Sequence, residues 1–261
     1  MVPNLPAKPH KPLSKEQQAA FERMRSLLLD RNGADDRYNA IQETKSGQII
    51  STDFARFLDD RYAKEPKAGG LRDLEPSWDL AWRYAQNRLE RELAQRRTRR
   101  KVRFMAGGWA AGKTFALRNE PTIVPDLVWD GTLSDQPWAA GMIDAAQANG
   151  WQVEVVYVFR DLELALYSAM ERKREEGRGV PVLQLPNIHR GVQKSILGLT
   201  ALFRSDPSVS FIYLHNLGTK AIPARQSPQI DLIDLEVNGA LHYLQRHEEY
   251  YQKAIKSLKT V

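Results

Sequence analysis

Residues 106–115, AGGWAAGKTF, combine glycines, a lysine and a threonine at a spacing that suits phosphate binding. The first glycine of the pattern, Gly107, is followed after four residues by Gly-Lys-Thr (112–114), which matches the P-loop pattern G-x-x-x-x-G-K-[ST]. Backbone N–H groups of such a loop surround the phosphates, while the lysine neutralises them and the hydroxyl ligates Mg²⁺. The segment therefore predicts binding of ATP and Mg²⁺, with Lys113 as a catalytic residue and Thr114 at the metal. The residues predicted to contact ATP are those of the loop itself: Gly107, Gly108, Trp109, Ala110, Ala111, Gly112, Lys113 and Thr114.

The sequence on both sides of this loop predicts the strand and the helix that a P-loop requires. KVRFMA, Lys101–Ala106, is a short apolar run bounded by Arg and Gly, which favours a buried strand. Residues 114–118 can begin a helix, whose positive N-terminal end would face the same phosphates. The alternative is a plain glycine turn with an exposed lysine, and the strand, loop and helix context favours the phosphate site.

A second group of charged residues lies in residues 161–181, DLELALYSAMERKREEGRGVP. Three arginines, among them Arg172 and Arg178, lie beside a bend predicted at Gly177. Arginines on a hinged segment can close over a bound triphosphate and stabilise the charge on the transferred phosphoryl group. Alternating Glu and Arg is equally typical of a solvated helix face. The residue types alone leave both interpretations open.

Composition excludes several classes of protein. The chain has 261 residues, 42% of them hydrophobic, which suffices for one α/β domain with additions or for two small domains. It has no cysteine, which excludes disulfides and cysteine-based zinc sites, and its five histidines lack metal-ligand spacing. No apolar run is long enough to cross a bilayer, and the N-terminal sequence lacks the apolar centre of a signal peptide. We therefore expect a soluble, cytoplasmic protein without a membrane partner.

Residues 96–103, RRTRRKVR, form the densest basic run of a chain whose net charge is +6. Such a run can contact the phosphates of nucleic acid. It can equally end a helix, where cations suit the negative dipole end, and then lead into the strand before the loop. No aromatic residues interleave with the run to stack bases, so we favour the second interpretation and expect no nucleic-acid partner.

The first hundred residues have a mostly helical pattern. Ser14 and Gln17 form a capping-box pattern, which begins a helix that is predicted to end at Asn32-Gly33. A second helix over residues 77–95 places an apolar stripe on one side, which is typical of core packing. The stripe consists of Trp78, Trp82, Ala85, Leu89 and Leu93.

From residue 101 onward, strand candidates alternate with helix candidates. Alternation of this kind implies an α/β fold with a mostly parallel sheet and crossover helices, whose ligands bind at the carboxyl ends of the strands. We therefore predict a helical N-terminal region over residues 1–100 and an α/β core over residues 101–261, which ends in a long helix over residues 235–258. The predicted strands are residues 101–106, 126–132, 152–159 and 209–216.

Two further segments resemble those of zeta toxin-like kinases. Residues 156–181, VYVFRDLELALYSAMERKREEGRGVP, resemble their lid region, in which a strand and a helix precede an R-x-x-x-x-GR pattern and VP. WDGTL, residues 129–133, resembles their substrate-binding E-G-T-L strand. Together with the loop, the resemblance covers approximately residues 101–216.

The resemblance implies a P-loop kinase fold and an ATP-dependent kinase activity. Zeta toxins phosphorylate a sugar hydroxyl of UDP-N-acetylglucosamine, and related folds phosphorylate nucleotides, polynucleotide ends or antibiotics. By that resemblance Arg172 and Arg178 are catalytic lid residues. Asp130 and Thr132 would face the acceptor, although Asp stands where those proteins have Glu, and Ser134 stands where several have Arg. The implied partners are a small molecule with a hydroxyl group and an antitoxin protein.

One element of these kinases is displaced in this chain. They carry D-x-x-R, whose Asp is the general base, on a strand between the P-loop helix and E-G-T-L, and residues 115–129 are too few to contain it. Upstream of the loop, GQIISTDFARFL (47–58) places Asp53 and Arg56 after a short apolar strand. If this strand takes the missing place, Asp53 accepts the proton of the acceptor hydroxyl, and Arg56 holds Asp53 or a substrate phosphate. The alternative is a helix N-cap, which would make Asp130 the next candidate for the base or for a contact to Mg²⁺.

The sequence leaves three functions open. The first is a small-molecule kinase that acts as a toxin, as an effector delivered to another cell or as a metabolic enzyme. The second is a P-loop module that binds or hydrolyses nucleotide to drive an interaction, and the third is a polynucleotide kinase. Asn216, at the end of the last predicted strand, is a candidate for an adenine contact.

Overall fold

A computed structural model describes most of the chain from residue 12 to residue 216 and a short segment beyond it. The described ranges are 12–64, 77–95, 100–119, 125–177, 180–181, 184–216 and 232–235, together with residues 5, 6 and 9. Their helices are α1 (Lys15–Leu29), α2 (Arg31–Asn39), α3 (Thr52–Ala55), α4 (Asp60–Lys64), α5 (Trp78–Leu93), α6 (Lys113–Asn119), α7 (Gln136–Ala148), α8 (Leu162–Glu176) and α9 (Leu185–Phe203). Within these ranges, every helix is too short or too polar to cross a membrane.

The described strands form one sheet. They are β1 (Ile49–Ser51), β2 (Lys101–Ala106), β3 (Leu127–Asp130), β4 (Gln152–Arg160), β5 (Val209–Asn216) and β6 (Leu232–Leu235). Their order across the sheet is β1-β3-β2-β4-β5-β6. Neighbours from β1 to β5 are parallel, whereas β6 pairs with β5 in the antiparallel direction. The predicted α/β fold with a mostly parallel sheet and crossover helices is therefore confirmed.

Both faces of the sheet are buried, which explains why β4 is an almost continuous apolar run. Val153 and Val155 of β4 pack into the cluster that also contains buried residues of α5, α7 and α9. Val156 and Val158 pack on the other face, in the cluster that contains Ala116 of α6. The helix after the loop and the helices α5, α7 and α9 therefore cover opposite faces of the sheet.

The short strand β1 joins the sheet beside β3, as the displaced-element hypothesis requires. Ile49 pairs with Val128 and Ser51 pairs with Asp130, in parallel register. The Tyr38 hydroxyl supports this strand because it donates to the Ile49 carbonyl at 3.0 Å and accepts from the Ser51 N–H at 2.9 Å. Since parallel strands end at the same edge of a sheet, the residues that follow β1 and β3 lie side by side.

The first helix ends earlier than predicted. Its capping box at Ser14 and Gln17 is confirmed, but α1 ends at Leu29, and Asn32-Gly33 lies inside α2. Asp30 separates the two helices because its φ and ψ of −82° and 87° are not helical. Its carboxylate accepts a hydrogen bond from the Gly33 N–H at 3.3 Å and so caps α2.

The predicted stripe of α5 is only partly buried. Ala85, Leu89 and Leu93 are buried in the main core, and Trp82 packs against it. Trp78 was predicted to belong to the same stripe, but it is 38% exposed because it occupies the first turn of the helix. The helical pattern therefore predicts α5 correctly, but it wrongly includes Trp78 in the buried stripe.

Two strand boundaries also differ from the predictions. β3 ends at Asp130 rather than at residue 132, because its neighbour β1 ends at Ser51, which is the register partner of Asp130. Leu235 was predicted to begin a C-terminal helix, but it belongs to β6, where it pairs with Tyr213. The remainder of that predicted helix, residues 236–258, lies outside the described residues.

Candidate phosphate-binding site

The predicted loop connects β2 to α6 at the carboxyl edge of the sheet, as a P-loop requires. Gly107 has a φ of 154° and Gly112 a φ of 95°, which favour glycine. A Cβ on Gly107 would lie 2.8 Å from the carbonyl oxygen of Val158, so a side chain there would collide with β4. Ala110 adopts a φ of 58° without being glycine, which indicates that surrounding contacts hold the loop in shape.

The Lys113 ammonium lies at the centre of the site. Its Nζ donates to the carbonyl oxygens of the first two glycines of the loop at 2.9 and 3.2 Å. Burial lowers the pKa of Lys113, while the carboxylates of Asp130 and Asp53 raise it and the charge of Arg172 lowers it further. The fold thus brings together four of the predicted site residues, which come from four different elements.

Asp130 ends β3 beside the loop. Thr114 Oγ1 donates a hydrogen bond to Asp130 Oδ2 at 3.5 Å. Burial raises the pKa of the Asp130 carboxyl, and the charge of Lys113 opposes this shift. Carboxylate and hydroxyl oxygens are ligands that Mg²⁺ prefers, and Mg²⁺ usually takes only one or two carboxylates besides phosphate oxygens. These residues fit a nucleotide-bound Mg²⁺, although the described part of the chain contains no cluster of three or more His, Asp or Glu side chains that would hold a metal by itself.

Asp53 lies in the first turn of α3, directly after β1. The N-cap of this helix is Ser51, whose Oγ accepts a hydrogen bond from the Asp53 N–H at 3.2 Å. The alternative interpretation, in which Thr52 or Asp53 is the N-cap, is therefore wrong. The Asp53 carboxylate instead forms an ion pair with Arg56 at 3.2 Å, and its side chain is 44% exposed.

Arg56 is buried beside Asp53. Its side chain is 7% exposed, and its guanidinium lies 4.6 Å from the centroid of the Trp78 ring. A cation in this position gains from the aromatic face as well as from the carboxylate. Of the two roles predicted for Arg56, the geometry favours holding Asp53 over contacting a substrate phosphate.

Arg172 and Arg178 belong to the predicted lid. Arg172 lies on α8 and interacts electrostatically with Lys113 and with Asp130. The helix ends at Gly177, which has a φ of 68° and forms a left-handed C-cap, so the predicted bend is present. Arg178 lies outside the described residues.

Thr132 lies against the loop through its backbone. Its carbonyl oxygen accepts a hydrogen bond from the Gly107 N–H at 3.3 Å. Its hydroxyl shares a hydrogen bond with Ser134 Oγ at 3.1 Å. The residue predicted to face the acceptor is therefore adjacent to the phosphate loop.

Sequence reasoning missed three polar residues at the loop, or gave them another role. Arg160, His189 and Asn216 each donate a hydrogen bond to a loop carbonyl. Asn216 was considered for an adenine contact, but it is fully buried and donates to the Ala111 carbonyl at 2.8 Å. Their position in the sequence could have identified two of them, because Arg160 and Asn216 are polar residues at the carboxyl ends of buried strands, where ligand sites form.

In the described part of the basic run, the cationic side chains form ion pairs with acidic residues at or beside the sheet. Lys101 forms an ion pair with Glu154 at 3.2 Å, and Arg103 is buried and pairs with the same carboxylate. Arg100 lies 3.8 Å from Asp126. Residues 96–99 lie outside the described residues. These pairs favour the structural interpretation of the run.

Comparisons with known proteins agree with the resemblance drawn from the motifs. Residues 125–222 match the family model of the zeta toxins. The matched range contains the WDGTL segment and the predicted lid region, and the resemblance to the zeta toxins is thereby confirmed. No curated protein sequence matches the chain.

Two solved structures match the chain at low sequence identity. One is a crystal structure of the complex AvrRxo1-ORF1:AvrRxo1-ORF2 with sulphate ions; that chain is 13% identical with a TM-score of 0.44, and the match covers 69% of this chain and 82% of that one. The other belongs to the PezAT chromosomal toxin–antitoxin system of the human pathogen Streptococcus pneumoniae; it is 13% identical with a TM-score of 0.38, and the match covers 94% of this chain and 95% of that one.

Proposed function

We propose that the protein is an ATP-dependent kinase that transfers the γ-phosphate of ATP to a hydroxyl of a small molecule, such as a nucleotide or a nucleotide sugar. The observation that carries this proposal is the register of β1 and β3, which pairs Ser51 with Asp130 and so brings Asp53, two residues after Ser51, near Asp130, with both carboxylates in electrostatic range of the Lys113 ammonium. Binding of nucleotide alone requires the cation and one carboxylate for Mg²⁺. A second carboxylate supplies a proton acceptor for an incoming hydroxyl. The resemblance to the zeta toxins supports the same class of reaction.

Lys113 binds the outer phosphates and neutralises the charge that develops during transfer. Burial lowers the pKa of its ammonium. A bound triphosphate places negative charge beside this group, and opposite charge favours the protonated form. The charged form of Lys113 is therefore most stable when an anion occupies the loop.

Thr114 and Asp130 are the residues that would hold Mg²⁺. Their oxygens are neighbours, because the Thr114 hydroxyl donates to the Asp130 carboxylate. These two residues would hold the ion against the phosphates, where it would supply neutralisation of their charge. The hydrogen bond from Thr114 distinguishes Asp130 from Asp53, whose carboxylate pairs with Arg56 instead.

Asp53 accepts the proton of the acceptor hydroxyl. Its side chain is 44% exposed, so a substrate can reach it, and Arg56 holds the carboxylate in one orientation through the 3.2 Å ion pair. Thr132 lies beside the loop and contacts the acceptor. The acceptor therefore binds over the carboxyl ends of β1 and β3, between Asp53 and the phosphate loop.

Arg172 and Arg178 stabilise the charge on the transferred phosphoryl group. Arg172 already lies within electrostatic reach of Lys113, at the end of α8 that precedes the bend at Gly177. An arginine in this position acts on the transition state more than on bound ATP, because the charge that it neutralises develops during transfer.

The test is transfer of label from γ-labelled ATP into a small-molecule fraction, followed by mass spectrometry of the labelled metabolite. We expect wild-type protein to label a small molecule and Lys113→Ala to label none while it keeps its circular dichroism spectrum, because the ammonium contacts loop carbonyls rather than the core. Release of phosphate without an acceptor would indicate a nucleotide-hydrolysing module, and labelled polynucleotide ends would indicate a polynucleotide kinase. Unchanged transfer by a folded Lys113→Ala variant would refute the P-loop assignment.

An antitoxin partner is part of the proposal, because the chain resembles the zeta toxins. Expression of this chain alone is then expected to arrest bacterial growth, and co-expression of a small protein encoded beside its gene, if that protein is the antitoxin, is expected to relieve the arrest. A chain that never affects growth would favour a metabolic kinase.

A further inference from the structure

Every carbonyl group of the loop from Gly107 to Gly112 accepts a hydrogen bond. Lys113 donates to the first two, and the N–H of Ala116 in α6 donates to that of Gly112 at 3.0 Å. The three carbonyls between them belong to residues 109–111, and each is paired with a side chain from a distant part of the chain.

Three buried side chains hold these middle carbonyls. The Nε2–H of His189 in α9 donates to the first at 2.8 Å, Nη1 of Arg160 at the end of β4 donates to the second at 3.2 Å, and Nδ2 of Asn216 at the end of β5 donates to the third at 2.8 Å. All three residues are at most 4% exposed. The hydrogen bonds of Arg160 and Asn216 are buried, so the Ala110 and Ala111 carbonyls would have no water to replace a lost donor, whereas the Trp109 carbonyl is partly buried.

The direction of these carbonyls fixes the direction of the amides. The C=O and N–H groups of a trans peptide point opposite ways, so the N–H groups of residues 110–112 point away from the three side chains that hold the carbonyls. The Ala111 N–H closes a turn on the Gly108 carbonyl at 3.2 Å. We therefore expect the N–H groups of Ala110 and Gly112 to contact a phosphate, which is the interaction on which P-loop binding depends.

His189 also limits the space around the loop. A Cβ on Gly108 would overlap the imidazole ring of His189. Burial lowers the pKa of His189 to about 4, with the charges of Lys113 and Arg160 acting in the same direction and the hydrogen bond to the Trp109 carbonyl opposing them. The ring is therefore neutral near pH 7 and carries its one proton on Nε2, where the loop needs a donor.

We infer that Arg160, His189 and Asn216 are positioning residues of the phosphate loop, which hold it in the binding conformation before ATP arrives. The identity of the ligand rests on the proposed function, whereas the loop conformation does not. A loop that is already ordered loses less conformational entropy on binding, so its affinity for the ligand is higher.

Two substitutions of one residue separate the hydrogen bond from the packing. His189→Phe keeps a ring and removes the donor, whereas His189→Gln keeps an N–H donor at the distance of Nε2 and removes the ring. We would measure amide hydrogen exchange of residues 108–113 in the nucleotide-free protein and the Kd of ATP by calorimetry. Asn216→Ala removes a donor from a different strand and keeps the test available if His189→Phe does not fold.

The expected result is faster exchange of the loop amides and an ATP Kd raised by roughly tenfold in His189→Phe and Asn216→Ala, the scale of one lost buried hydrogen bond. His189→Gln is expected to stay within about threefold of the wild-type Kd, since the donor is retained. Unchanged affinity in folded His189→Phe and Asn216→Ala would overturn the inference, whether or not the loop exchanges faster. A wild-type protein that does not bind ATP would contradict the proposed function instead, and loop exchange would still show whether the three side chains order the loop.

Discussion

Replacement of Asp53 by Asn tests the assignment of the general base. Asn keeps the size of the side chain and leaves Ser51 as the helix cap, because the capping hydrogen bond uses the backbone N–H of residue 53. The lost charge faces Arg56 at 3.2 Å, but the Asp53 side chain is 44% exposed, so the ion pair is partly screened. Asn also keeps an acceptor oxygen for the buried Arg56 guanidinium, so we expect the melting temperature to fall by only a few degrees. The variant should therefore fold.

Phosphoryl transfer should fall much further than stability. An amide cannot accept the proton of the acceptor hydroxyl, and a general base contributes a factor of roughly 10²–10⁴. We expect transfer from γ-labelled ATP to the acceptor to fall by about a hundredfold or more, with the Kd of ATP nearly unchanged. Asp60→Asn is the matched control, because Asp60 pairs with Arg37 at 3.7 Å on an exposed surface and loses the same charge.

Full activity of Asp53→Asn would refute the assignment of Asp53 as the general base. If Asp53→Asn transfers phosphate at the wild-type rate, Asp53 only orders Arg56, and the base must be sought at Asp130.

Three further predictions concern the lid, the buried histidine and two glycines. Arg172→Ala should lower kcat by roughly tenfold or more with little change in the Kd of ATP. Lys173→Ala, which changes an exposed neighbour on α8, should change neither value. Equal turnover in both variants would identify α8 as a solvated helix face. The pKa of His189 falls from 6.5 to about 4 on folding, so the unfolded chain binds the proton more tightly between these values. Stability should therefore be lost as the pH falls from 6.5 to 4, by roughly 3 kcal/mol at this site, and urea unfolding of His189→Gln should lack that component. Gly108→Ala should destabilise the protein, because the added Cβ overlaps His189. Gly141→Ala on α7 should stabilise it by about 0.5–1 kcal/mol, because nothing lies within 4 Å of the added Cβ. Similar melting temperatures for the two variants would contradict the packing of His189 on the loop.

Short-range patterns predicted the elements that surround the phosphate loop. The strands β2 and β5 have the predicted bounds, and the capping box at Ser14 begins α1. These features depend on residues that are neighbours along the chain, such as the alternation of apolar runs with turns. Helix ends were less predictable, because a single side chain such as Asp30 can end one helix and cap the next. The division at residue 100 into two regions stays a prediction.

The sequence by itself determined the loop, the strand and helix on either side of it and the α/β class, because each is encoded by contiguous residues. It raised Asp53 as a hypothesis only, since its position depends on β1 pairing with β3 far along the chain. The tertiary structure alone decided that Asp53 and Asp130 lie within electrostatic range of Lys113 and that Arg160, His189 and Asn216 hold the loop carbonyls. Such contacts follow from strand order and register, which a parallel sheet sets between distant segments and which no local period in the sequence records.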